Sequence, residues 1–254
     1  MGTTEVYVED GIGYLVFSTP GKLNAFTRSM RERFLEGLRR HEADDTVEAV
    51  IVTGEGDAFC AGQDLNESAS WDDGVPWVEE FEDLYRTVWT TSKPVIAAIP
   101  GVAAGGGFQL ALLCDARIAS TTARMGQPEV ANGLASITGA WLMRRSLGDM
   151  RARELALSAR LVEGEELLRL GIVDEMVEAD GVRERAIAVA RKLASSPSQA
   201  FASSKRWLFD SIEAEMRRVF EDAVALHRAL FAEGVSQKGS RDFVAKVAAD
   251  VESR

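Results

Sequence analysis

Residues 95–114 carry no formal charge, and this run constrains the fold more than any other part of the chain. It is long enough to span a bilayer. However, Pro100, Gly101, Gly105, Gly106, Gly107 and Gln109 interrupt it. The stretch therefore reads as a buried strand, a tight turn and a buried helix, not as a membrane span.

The surrounding sequence fits one large domain, or a domain with a small appendage, within 254 residues. A hydrophobic share of 46% argues against disorder. The net charge of −11 disfavours nucleic acid as a general partner, because an acidic chain repels a phosphate backbone. Two cysteines, Cys60 and Cys114, exclude a disulfide framework and a multi-cysteine zinc site. The first residues carry no signal-peptide pattern, and Val6 breaks the myristoylation pattern. A reduced cytoplasmic compartment is the expectation.

Residues 6–17 predict a hairpin, with Asp10-Gly11 and Gly13 at the turn. Thr27 can cap a helix to about His41, with Met30, Phe34 and Leu38 on one face. Residues 47–52 read as a strand, 54–76 as a long polar loop of the kind that often carries function, and the following residues as a helix with Trp77, Phe81, Leu84, Val88 and Trp89 at helical spacing. Lys93-Pro94 ends that helix, residues 95–99 form a strand, 105–113 a helix and 116–119 a strand. From Ala140 onward the period is helical in segments 141–147, 151–158, 165–170, 183–193, 199–209, 212–231 and 242–251, interrupted by a strand at 172–177. The pattern predicts an α/β core followed by a helical extension.

Several chemistries drop out. The turn Gly101-Val102-Ala103-Ala104-Gly105-Gly106-Gly107 is neither a dinucleotide fingerprint nor a P-loop. A serine triad needs one of two histidines, His41 and His227, which both read as surface residues, and no G-x-S-x-G elbow is present. No H-E-x-x-H zinc motif occurs. What remains is a pair of segments able to present backbone amides: Phe59-Cys60-Ala61-Gly62-Gln63-Asp64-Leu65, and the triple glycine opening a helix. Helix N-termini stabilise anions through unpaired N–H groups and the dipole. Three glycines at a helix start also suit a tight structural turn.

Those segments carry a family resemblance. Pro20-Gly21-Lys22-Leu23-Asn24-Ala25, the Phe59 to Leu65 motif, Lys93-Pro94-Val95-Ile96-Ala97-Ala98 through Gly105-Gly106-Gly107 to Cys114-Asp115, and Gln127-Pro128-Glu129 together resemble the enoyl-CoA hydratase/isomerase (crotonase) superfamily. The resemblance implies an α/β fold, a crotonase-like spiral of ββα units with a C-terminal helical trimerisation region. It divides the chain into a core at 1–195 and a helical region at 196–254, and implies a homotrimer or a dimer of trimers. It implies acyl-CoA thioester substrates, with coenzyme A entering as part of the substrate and no separate cofactor or metal. By position, the oxyanion-hole amides fall on Gln63 and Gly106. Lys22, Ala25 and Ala61 would line the CoA channel, with Asp64 beside them, and Phe243 and Lys246 match the place where a neighbouring subunit commonly closes over CoA.

Two such amides stabilise an enolate, and losing one donor typically costs about 3–4 kcal/mol in the transition state. The family's hydratases use two glutamates; here those positions hold Gln109 and Glu129. Gln109, three residues after Gly106, is expected to point into the site, where its amide can orient but not exchange protons. Glu129 would be the base, its pKa raised by an apolar setting. One carboxylate suits a 1,3-proton shift, so double-bond isomerisation is favoured, with 2-enoyl-CoA hydration or a non-catalytic acyl-CoA binder as alternatives. Ile137 and Trp141 would reshape the acyl pocket; Ser136, Asp72 and Asp73 are further polar candidates. Asp64 and Asp115 read as residues bonding nearby backbone, and the cysteines as buried small hydrophobes.

Overall fold

The computed structural model describes residues 2–68 and 74–252, with side chains as far as residue 245. Strands β1 (Thr3–Glu9) and β2 (Ile12–Ser18) form the expected hairpin. Asp10 and Gly11 both take positive φ (49° and 77°), the backbone a two-residue turn needs to match strand twist. Helix α1 (Arg28–Ala43) follows, its Thr27 hydroxyl accepting the Met30 N–H at 3.3 Å, with Met30, Phe34 and Leu38 fully buried.

The chain then repeats one pattern. A strand joins a large sheet, the next strand joins a small sheet, and a helix returns. The first turn is β3 (Ala49–Gly54), β4 (Ala58–Cys60), α2 (Leu65–Ser68) and α3 (Val75–Thr90). The second is β5 (Val95–Ile99), β6 (Val102–Ala104) and α4 (Gly106–Leu113). The third is β7 (Ala116–Ser120), β8 (Arg124–Gly126), a 3-10 turn Glu129–Asn132, α5 (Thr138–Leu147) and α6 (Asp149–Ser158). Then come β9 (Leu161–Glu163), α7 (Glu165–Arg169), β10 (Glu175–Val177) and α8 (Val182–Ala194). Three helices complete the chain: α9 (Ser198–Asp210), α10 (Glu213–Ala232) and α11 (Val235–Glu252).

The large sheet has order β1-β2-β3-β5-β7-β10 and is parallel from β2 onward; the small sheet has order β4-β6-β8-β9. This is the spiral of ββα turns. Period-two alternation explains why residues 95–99 carry no polar side chain. Ile96 and Ala98 face Val182, Ala186 and Ala190 of α8, while Val95, Ala97 and Ile99 join the apolar cluster on the other face. Phe209 of α9 and Met216 and Phe220 of α10 enter that same cluster.

Three expectations are corrected. The small sheet lies in stretches where no strand was expected, because its strands are three residues long and hold no period. Helix α11 begins at Val235, seven residues earlier than the apolar spacing predicted (242 − 235 = 7). His41 and His227 are not surface residues: they are 1% and 3% exposed. The His41 ring packs over Gly13 with its Nε2 3.2 Å from the Tyr14 carbonyl, and His227 meets Trp77 edge-on at 5.2 Å. No helix among the described residues is long and apolar enough to cross a membrane.

Candidate active site

The end of β4 and the start of α4 come together at two glycines. After β4 the chain turns at Gly62 (φ 96°), and Gln63 bridges Phe26: the Phe26 N–H donates to the Gly62 carbonyl at 2.7 Å and the Asp64 N–H to the Phe26 carbonyl at 3.3 Å. Successive peptides of an extended segment point to opposite sides. The Gln63 N–H therefore faces away from Phe26, and it has no acceptor among the described residues. Gly105 takes φ 55° and ψ −124°, a backbone only glycine adopts without strain, and starts α4. The Gly105 N–H is used by the Gly126 carbonyl at 2.9 Å. The Gly106 N–H, a first-turn donor, has no acceptor among the described residues. A Cβ at Gly62 would lie 3.4 Å from the Gly106 nitrogen, so the two segments touch.

Both segments line one cavity of about 560 Å³. Lys22, Ala25, Ala61, Gln63, Asp64, Gly106 and Glu129 all reach its wall, as the motif positions predict. Glu129 opens the 3-10 turn, and its Oε1 is so close to Gly105 that a Cβ there would sit 2.9 Å away. Its Oε2 is shut off from solvent and has no partner among the described residues. Burial pushes this carboxyl up to about 8, against smaller opposing effects from its own N–H and the Gln109 side chain.

Gln109 is placed differently from the expectation. It does not reach the cavity wall and is buried to 6% exposure, bordering a separate small void with Trp77, Thr138 and His227. Its Oε1 accepts the Tyr85 hydroxyl at 2.7 Å and the Thr138 hydroxyl at 3.4 Å. Ile137 is also absent from the wall. It precedes α5 and packs on the apolar cluster, as does Trp141, whose indole N–H donates to Glu215. Ser136 is off the wall, its hydroxyl buried without a partner among the described residues. Asp72 and Asp73 lie outside the described residues, as does the Lys246 side chain. Phe243 lines the cavity from α11 of this same chain.

Asp64 bonds Lys22 at 2.8 Å and the Asn66 N–H at 3.0 Å; burial works to raise its pKa, but these donors outweigh it and hold the carboxyl below the usual range. Asp115 accepts the Val95 N–H at 2.8 Å and pairs with Lys205 at 2.6 Å. The Gln63 side chain accepts from the buried Arg31 and donates to Glu67, fixing the loop from outside the cavity while the backbone faces inward. Burial pushes the Cys60 thiol up to about 12, so it stays protonated. Among the described residues, no three His, Cys, Asp or Glu side chains gather to hold a metal. The cavity also has walls that the motifs did not mark: Trp77, Phe81, Leu134 and Leu161. Helical spacing identified Trp77 and Phe81 only as apolar residues on one face of α3.

Two unengaged peptide N–H groups next to a buried, protonatable carboxyl can stabilise a developing oxyanion while a proton moves. Comparison with known proteins gives the family. The profile described as enoyl-CoA hydratase/isomerase matches residues 8–254, and the chain belongs to that family. It is 32% identical over 253 residues to a probable enoyl-CoA hydratase of Rhizobium meliloti, covering 99% of this chain and 98% of that one. It is 35% identical over 199 residues to the 1,2-epoxyphenylacetyl-CoA isomerase of Escherichia coli, covering 76% of each. The fold is similar to the crystal structure of an enoyl-CoA hydratase/isomerase from Pseudoalteromonas atlantica, with TM-score 0.83, 26% identity and coverage of 99% and 98%.

Proposed function

We propose that the protein moves the double bond of a 3-enoyl-CoA thioester into conjugation, with Glu129 as its single proton carrier. The Gln63 and Gly106 N–H groups bind the thioester oxygen. Glu129 takes a proton from C2, the dienolate is held by the two amides, and the same carboxylic acid returns the proton to C4. Lys22, Ala25, Ala61 and Asp64 border the CoA, and coenzyme A arrives as part of the substrate with no further cofactor.

The observation that carries this reading is one buried carboxyl, Glu129, on the cavity wall, with an amide, Gln109, where the family's hydratases carry their other glutamate. A carboxamide cannot trade protons at neutral pH, so syn addition of water lacks its second acid. The relative named as an isomerase lends support. Hydration of a 2-enoyl-CoA is the competing reading, favoured by the name of the Rhizobium relative.

A coupled incubation with 3-enoyl-CoA decides between them. The expected result is growth of the conjugated-thioester absorbance, lost by about 10²–10⁴-fold in Glu129→Gln, the usual contribution of a general base. Unchanged turnover in that variant would remove Glu129 from its role. Decay of 2-enoyl-CoA absorbance in water, without isomerisation, would favour the hydratase.

A further inference from the structure

The Gly62–Gln63 peptide is aimed from its far side. Its carbonyl accepts the Phe26 N–H at 2.7 Å, and a trans peptide sends its own N–H the opposite way, toward the cavity that Gln63 lines. The next peptide is held by the same residue, the Asp64 N–H donating to the Phe26 carbonyl at 3.3 Å. Behind both stands Arg31 of α1, a cation only 1% exposed. Its Nη1 donates to the Phe26 carbonyl at 3.2 Å and to Gln63 Oε1 at 2.5 Å. Its Nε and Nη2 donate to Glu80 Oε2 on α3 at 2.9 and 2.6 Å, while Arg28 holds Oε1 of the same carboxylate at 2.6 Å. Four of the five guanidinium N–H groups are thus used, two toward Gln63 and two toward α3.

The second amide is tied to the same helix. Phe81, the residue after Glu80, packs so closely on Gly106 that a Cβ there would lie 2.8 Å from its ring. The Arg31 guanidinium lies over that ring at 5.8 Å from its centre, and over the Phe26 ring at 5.9 Å. One buried cation therefore bonds the segment that carries Gln63 and lies against the ring seated on Gly106.

We propose that Arg31 is a positioning residue for the oxyanion hole: its fork, anchored on Glu80, fixes the Gln63 N–H in distance and direction relative to the Gly106 N–H. The inference rests on these two amides being the groups that bind a thioester oxygen. The donor at position 63 belongs to the backbone, and the carboxamide is the handle by which α1 and α3 hold that backbone. Removing the handle leaves the N–H present but no longer aimed. The planar fork makes the tie directional, whereas a lysine would offer only a point charge.

The probe is butanoyl-CoA, a saturated thioester that exchanges α-protons with deuterated water through its enolate yet has no double bond to shift. The stretch of its carbon-13-labelled carbonyl is read by infrared difference spectroscopy on binding, and proton exchange is followed in the same samples. In the parent, the bound stretch is expected below that of the free thioester, because two donors pull on the oxygen. Arg31→Lys keeps a charge beside Glu80 without the fork, and Gln63→Leu removes the handle without touching the buried pair. Both should return the stretch toward the free value and lower the exchange kcat by about 10–100-fold, with KM within about twofold of the parent's. Because the two side chains act as one unit, the double variant should lose no more than the worse single variant.

A stretch and a kcat equal to the parent's in both variants would overturn the proposal, as would losses confined to KM or losses that multiply in the double variant. Gln63→Leu decides the matter where Arg31→Lys yields no folded protein. A protein that exchanges butanoyl-CoA protons in this Arg31-dependent way but leaves 3-enoyl-CoA unmoved loses the isomerase reading and keeps Arg31 in its role. Isomerisation with a carbonyl stretch that neither variant moves condemns the role of Arg31 alone.

Discussion

A carboxyl works as a base only when ionised, and the surroundings of Glu129 make ionisation costly. Because burial pushes its carboxyl up to about 8, activity should rise with pH and level off above that value. The same shift links the site to folding. The unfolded chain releases this proton near the ordinary glutamate value of 4.5, whereas the folded chain keeps it until about 8. Over that window the folded state binds more protons, so Glu129 takes stability away as pH rises and has no further effect above the window. Glu129→Gln cannot ionise and should therefore gain in urea midpoint relative to the parent between about pH 5 and about pH 9. Parallel midpoints across that range would mean the carboxyl is not desolvated in solution. At this scale the sequence was informative where a motif fixes a position, as at Gln63, Gly106 and Glu129. It could not reveal that the Gln63 side chain answers a buried Arg31 from a different helix.

At the scale of elements, legibility followed locality. The hairpin at Asp10-Gly11, helix α1 with its Thr27 cap, and the uncharged β5 and α4 declare themselves in a few neighbouring residues. Strands β4, β6, β8 and β9 do not: each is three residues long and exists because a partner from another turn of the spiral pairs with it. Trp77 and Phe81 posed another difficulty, since a cavity wall and a core look alike in apolar spacing. The first half of α11 was hidden by its composition, Ser236-Gln237-Lys238-Gly239-Ser240, whose glycine would ordinarily weaken a helix. The structure gives that glycine a reason. A Cβ at Gly239 would lie 2.2 Å from the Asn132 carbonyl of the turn that carries Glu129, and Ser240 meets Ser68 of α2 at 3.3 Å. Gly239→Val should lift α11 off this seat. Overpacking of about 1–3 kcal/mol should appear as about a tenfold or larger rise in KM for acyl-CoA. A KM equal to the parent's would show that the helix does not shape the binding wall.

For the molecule as a whole, the position of Phe243 changes what assembly is needed for. The resemblance led to the expectation that a neighbouring subunit closes over the CoA, yet here the chain's own terminal helix contributes to the cavity wall. With Phe243 supplied by the same chain, a site complete within one chain is the prediction. Mixed assemblies of Glu129→Gln and Gly239→Val chains, assayed at substrate far below KM, should show no more activity than the two preparations added together. Recovery above that sum would mean that helices are exchanged between chains. A different consequence follows from the peptide groups at Gln63 and Gly106. Any residue but proline keeps such a donor, whereas Gly62 and Gly105 tolerate no replacement, each having a positive φ and a close neighbour where a side chain would go. Heritable variation in this pocket is therefore channelled. Descendants can reshape the cavity by exchanging Trp77, Phe81 or Leu134, while the pair of main-chain donors passes down unaltered through residues that have no side chain to lose.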